Sequence, residues 1–167
     1  MKKMTEENVK AALAGESQAH VKYAAFAEKA EAEKLPNIAR AFKANSYAEQ
    51  VHATNYVKTL GALGSTKDNL EAAVGGETFE IEEMYPAFVL VAEAQGEKTA
   101  AMFLKAALAA EKVHAGIYKT AREAVAAGQD LAFKPIHVCG ICGFTIEGDA
   151  PDKCPVCSAP KDKLVTF

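Results

Sequence analysis

Glu49-Gln50-Val51-His52 and Glu111-Lys112-Val113-His114 are the two stretches that decide the fold of this chain. On a helix, residues three apart share a face, so each stretch points one carboxylate and one imidazole the same way. Each also lies in phase with an apolar stripe. Around the first run Ile38, Phe42, Asn45, Glu49, His52 and Tyr56, in alternating steps of four and three. Around the second run Leu104, Leu108, Glu111, His114 and Tyr118. Two further helical segments carry carboxylates on their stripes: Glu16 after Val9 and Leu13, and Glu80 with Glu83 before Ala87 and Leu90. Four-helix sites for two metals are built from two helices that offer Glu and two that offer Glu-x-x-His.

The segment boundaries support that reading. Residues 5 to about 128 are rich in Ala, Glu, Lys and Leu, a helix-forming composition with only Pro36 and Pro86 as exceptions. The spacing predicts a first helix over 5–34 and a second from Pro36, a residue suited to a first helical turn, to the glycine-bearing stretch Gly61–Gly64. A connector, 65–76, follows. Ser65 with Asp68 can cap a short helix at 67–74, which Gly75-Gly76 is expected to break. A third long helix is expected over 77–95, kinked at Pro86, and a fourth from 98 to a stop at Gly128. Short loops make two antiparallel hairpins, and the longer connector joins them. The expected fold is an all-α, ferritin-like four-helix bundle over 1–131, followed by a small metal-binding domain over 132–167. Phe133-Lys134-Pro135 ends the helical pattern.

Bulk properties narrow the function. The chain has 167 residues, half of them apolar and a quarter charged, with net charge −3. No basic patch suggests nucleic acid as a partner, and no apolar run reaches the ~20 residues of a membrane span. The N-terminus lacks a secretory apolar core, so a cytoplasmic location is expected.

Buried carboxylates are costly unless paired or bound to a cation. Glu16, Glu49, Glu80, Glu83 and Glu111 on inward stripes, with His52 and His114 and no facing Lys or Arg, therefore point to a pair of divalent cations; carboxylate and imidazole suit iron or manganese, and zinc would also bind. A single Glu on such helices is ordinarily a solvated charge, and Glu28, Glu31, Glu33, Glu71, Glu77 and Glu82 are read that way. His20, one turn after Glu16, reads as a polar residue at the helix seam.

All four cysteines lie in the tail, as Cys139-Gly140-Ile141-Cys142 and Cys154-Pro155-Val156-Cys157. Adjacent CxxC pairs in a cytosolic protein usually bind metal, and four thiolates form a tetrahedral site for iron or zinc. About 30 residues cannot bury enough apolar surface to fold without such a staple.

The motifs together resemble the rubrerythrin family over essentially the whole chain. They are Gly15-Glu16-Ser17-Gln18-Ala19 with Tyr23, Ala48-Glu49-Gln50-Val51-His52, Glu83-Met84-Tyr85-Pro86, Ala110-Glu111-Lys112-Val113-His114, and a tail similar to rubredoxin. The resemblance implies a non-haem di-iron site held by Glu16, Glu49, His52, Glu80, Glu83, Glu111 and His114. It implies an Fe(Cys)4 centre at Cys139, Cys142, Cys154 and Cys157, with zinc substitution possible. It also implies reduction of hydrogen peroxide to water in oxidative-stress protection, with electrons from NAD(P)H arriving through rubredoxin or a reductase, and assembly as a homodimer or larger homo-oligomer. Glu83 is expected to be the extra carboxylate that one iron exchanges for His52, and Tyr23 a hydrogen-bonding neighbour of the site. Iron oxidation and storage is the alternative; it explains the bundle but gives the tail no task.

Overall fold

The computed structural model describes every residue except Phe133, so the expected end of the helical pattern there lies partly outside the described residues. The chain forms two compact units, Met1–Gly64 and Ser65–Phe167.

The first unit is a hairpin of α1 (Lys3–Ala32) and α2 (Pro36–Thr59). Alanines form its seam: Ala27, Ala30 and Ala39 are buried, as is Ser46. Such small side chains let two helix backbones approach closely. His20 belongs to this seam. Its Nδ1 lies 2.9 Å from the Ser46 carbonyl, and the Ser46 hydroxyl donates to the His20 carbonyl at 2.8 Å. Lys43 and Glu31 add an exposed ion pair between the helices, worth a few tenths of a kcal/mol, roughly, at such exposure.

The second unit begins with α3 (Thr66–Phe79), capped as its sequence predicts: the Ser65 hydroxyl accepts from the Asp68 N–H, and the Asp68 carboxylate accepts from the Ser65 N–H. Two expectations fail in this unit, the first at the glycine pair. The helix does not break at Gly75-Gly76 but runs through them, and the connector between α2 and α3 shrinks to Leu60–Ser65. Glycine costs only about 1 kcal/mol in a helix interior, and packing of Val74, which is buried, outweighs it. The second difference is at Pro86. A π-helical turn, Glu80–Met84, precedes α4 (Tyr85–Ala94), and the Tyr85 N–H donates to the Glu80 carbonyl five residues back. Pro86 then falls in the first turn of α4, where its missing N–H costs little. An added residue in one turn absorbs what a kink was expected to absorb.

Helix α5 (Lys98–Ala126) packs along α3 and α4 through Ala101, Ala106, Ala110 and Ala115, all buried. Gly128, with φ of 71°, ends it in a left-handed conformation that favours glycine. The tail is a three-stranded antiparallel sheet in the order β2-β1-β3, made of β1 (Ile136–Cys139), β2 (Thr145–Glu147) and β3 (Leu164–Thr166). Val138 lies opposite Thr145 on one side and Val165 on the other. Strand β2 also packs on α5.

Candidate metal centres

In the first unit, Glu16 on α1 meets Glu49 and His52 on α2, with one donor atom of each within 4.8 Å of the others. His52 Nδ1 lies 2.8 Å from Glu49 Oε2, the contact that Glu-x-x-His spacing dictates. Of the candidate neighbours, Tyr23 packs its ring 6.2 Å from those of Phe26 and Phe42.

In the second unit, Glu111 and His114 on α5 meet Glu77 on α3, again with donors within 4.8 Å of one another. His114 Nδ1 is 2.7 Å from Glu111 Oε2 and 3.7 Å from Glu77 Oε1. Glu77 Oε2 is buried without a hydrogen-bond partner. Burial, then a hydrogen bond and repulsion from Glu111, then repulsion from Glu80, push the Glu77 carboxyl up to about 7. Glu80 is half-buried and is also raised, by burial first and then by Glu111, against an opposing pull from His114. Glu80 therefore faces the same charges, while Glu83 is exposed and outside both triads.

Tyr85 completes this group. Burial, followed by the charges of Glu111 and Glu80, raises its phenol.

Glu77 and Tyr85 are the residues that sequence reasoning missed. With a break placed at Gly75-Gly76, Glu77 starts a helix and looks solvated. Continued through the glycines, the stripe Leu70, Val74, Glu77, Ile81 is in phase, and this was the available signal. The π turn explains Glu83: it holds more residues per turn, so each advances less around the axis, and Glu83, three residues after Glu80, no longer shares its face.

A carboxyl with a buried, unsatisfied oxygen beside two further carboxylates is an expensive arrangement. A divalent cation would replace the proton, offset the repulsion among Glu77, Glu80 and Glu111, and occupy the orphaned oxygen. Both triads fit a hard or borderline metal with oxygen and imidazole donors.

The four cysteines converge in the tail. Cys139 and Cys154 are buried, and Cys142 and Cys157 are half-buried. Sγ atoms of Cys139 and Cys157, and of Cys142 and Cys154, stand 3.6 Å apart. That is far beyond a disulfide bond of about 2.05 Å. It is close to the ~3.7 Å edge of a tetrahedron with ~2.3 Å metal–sulfur bonds. Burial alone would raise Cys139, but N–H groups of Cys142 and Ile141 and the neighbouring thiols more than offset it, leaving it at about 7. Burial pushes Cys142 up to about 12 against the Phe144 N–H. Four converging thiols are suited to deprotonation by a metal. Gly140 admits no side chain: a Cβ there would come within 3.2 Å of the Lys163 carbonyl, which accepts the Gly140 N–H at 2.8 Å.

Comparison with known proteins agrees with these centres. The rubrerythrin family model matches residues 7–122, and the model described as the rubredoxin-like domain of rubrerythrin matches 137–164. The chain is 38% identical to rubrerythrin-2 of Clostridium acetobutylicum, covering 98% of this chain and 97% of that protein. It is 37% identical to nigerythrin of Nitratidesulfovibrio vulgaris, covering 98% and 86%. A solved structure of nigerythrin in a partially reduced state superposes with a TM-score of 0.55 at 34% identity, covering 98% of this chain and 86% of that one. With Glu and His groups for a di-iron carboxylate site and a rubredoxin-like four-cysteine site in one chain, this protein belongs to the rubrerythrin family.

Proposed function

We propose that the chain reduces hydrogen peroxide to water, using electrons that originate from NAD(P)H, pass through a redox-protein partner and enter at the four-cysteine centre. The observation that carries this reading is a hydrogen bond. His114, a donor of the α3–α5 triad, lies 2.7 Å through Nε2 from Thr145 in the cysteine-bearing tail. A storage site has no need of a thiolate centre attached to its ligands; a relay does. With iron bound, the carboxylate site supplies the two electrons that peroxide takes and the tetrathiolate centre passes electrons singly.

The residues divide this work. Glu77 and Glu111 carry the negative charge that holds cations in the second unit, and Glu16 and Glu49 do so in the first. His52 and His114 add nitrogen donors better suited to the ferrous ion. The Tyr85 phenol, near enough to Glu111 to feel its charge, orients that carboxylate. Glu80, rather than Glu83, takes the role of the additional carboxylate, because it is half-buried beside Glu111 and His114. The helical chain, 1–131, is the peroxide-reducing part, and 132–167 is the electron-entry part. Among the described residues no helix is long and apolar enough to cross a membrane.

Stopped-flow mixing of the reduced protein with each oxidant tests the proposal. Peroxide is expected to oxidise it much faster than dioxygen; faster oxidation by dioxygen would point to iron oxidation and storage instead.

A further inference from the structure

The His114–Thr145 contact joins two residues far apart in sequence and of different chemistry. Nδ1 of His114 faces the carboxylates, 2.7 Å from Glu111 Oε2, so Nε2 is the nitrogen left to be held from behind. Thr145 Oγ1 meets it at 2.7 Å. Thr145 is only 4% exposed, so water does not compete for the contact. Its position is fixed from the cysteine side. It pairs with Val138 in the sheet, and its neighbour Phe144 accepts the Cys139 N–H at 2.9 Å and packs against the buried Cys139, Cys154 and Ala159.

We infer that Thr145 is a positioning residue for the carboxylate metal site, acting through His114. An imidazole that binds a metal through Nδ1 must carry its proton on Nε2, and that proton needs an acceptor; a partner of this kind fixes both tautomer and ring orientation. Among the described residues, Thr145 Oγ1 is the partner recorded for Nε2. The four-cysteine lobe therefore supports the second triad's ligand set from behind, and the folding of one metal centre preorganises the other. The inference rests on the proposed metal-binding role of Glu77, Glu111 and His114, but not on peroxide chemistry.

The test uses the full chain with zinc in the four-cysteine site and Mn(II) titrated into the carboxylate site against a competing chelator. Thr145→Val keeps the shape and removes the hydroxyl. Affinity for Mn(II) is expected to fall about 10–100-fold, and Thr145→Ser is expected to restore it. Equal Mn(II) affinity in wild type and Thr145→Val overturns the inference. Absence of Mn(II) binding in the wild type instead overturns the metal-site reading beneath it. A second measurement does not depend on the variant's folding. In protein loaded with zinc at both centres, long-range proton–nitrogen NMR is expected to show His114 protonated on Nε2. Protonation on Nδ1 overturns the inference.

Discussion

Glu77 makes the stability of the metal-free protein depend on pH in a direction unusual for a carboxylate. Its carboxyl is raised from the ordinary 4.5 to about 7, by burial first and then by Glu111 and Glu80. The folded state thus holds the proton more tightly than the unfolded chain. The stabilisation is fully present below about pH 4.5 and is lost as pH rises through about 7. A shift of this size, at about 1.4 kcal/mol per unit, amounts to about 3 kcal/mol. Solvent screening makes that figure an upper bound. Glu80, raised for related reasons, adds in the same sense. Chelator-treated wild type is therefore expected to lose urea resistance steadily between pH 5 and pH 8. Glu77→Gln keeps the side-chain shape and removes the titration, so its curve over that window should be markedly flatter and should lie above wild type near pH 8. Metal reverses the sign in the wild type: cations bind the ionised carboxylates, so loaded protein gains stability as pH rises. Parallel pH curves for metal-free wild type and Glu77→Gln would refute the placement of Glu77 among buried carboxylates.

Three further outcomes are expected. Glu80→Ala lowers peroxide turnover at least tenfold while Glu83→Ala leaves it within about twofold, as steady-state assays with a fixed electron donor would read; loss of activity only in Glu83→Ala would restore that residue to the site. Ser65→Ala removes the hydroxyl half of the α3 capping box, leaving the residue-65 N–H to the Asp68 carboxylate, and costs about 1 kcal/mol in denaturant unfolding; an unchanged midpoint would contradict the observed cap. Removing metal from the four cysteines unfolds 136–167, because that segment is too small to fold on apolar burial. Amide hydrogen exchange of β1–β3 before and after a thiophilic chelator reads this directly, and retained protection would count against it.

Much of the site was legible because it rests on local periodicity. Glu-x-x-His spacing on a helix forces Glu49 against His52 and Glu111 against His114, whatever surrounds them. CxxC spacing likewise brings two thiols together on each knuckle. The caps and stops were local too: Ser65 with Asp68, and Gly128 in a left-handed conformation. The α3 region was less legible because two effects compete there. Local propensity favours a break at Gly75-Gly76 and a kink at Pro86, while packing of Val74 and the π turn hold a helical path through both. The competition shifts which carboxylates are covered: Glu77 lies in the triad and Glu83 is exposed.

By itself, then, the sequence determined the helices, the two Glu-x-x-His pairs and the four-cysteine staple, because each follows from hydrogen bonding and side-chain direction within a few residues. Tertiary structure decided which α3 carboxylate joins the triad, that Tyr85 lies near Glu111, and that Thr145 meets His114. Those contacts depend on the rotation of one helix against another and on where a small sheet docks on α5. Burial fixes both, and no short-range periodicity records it.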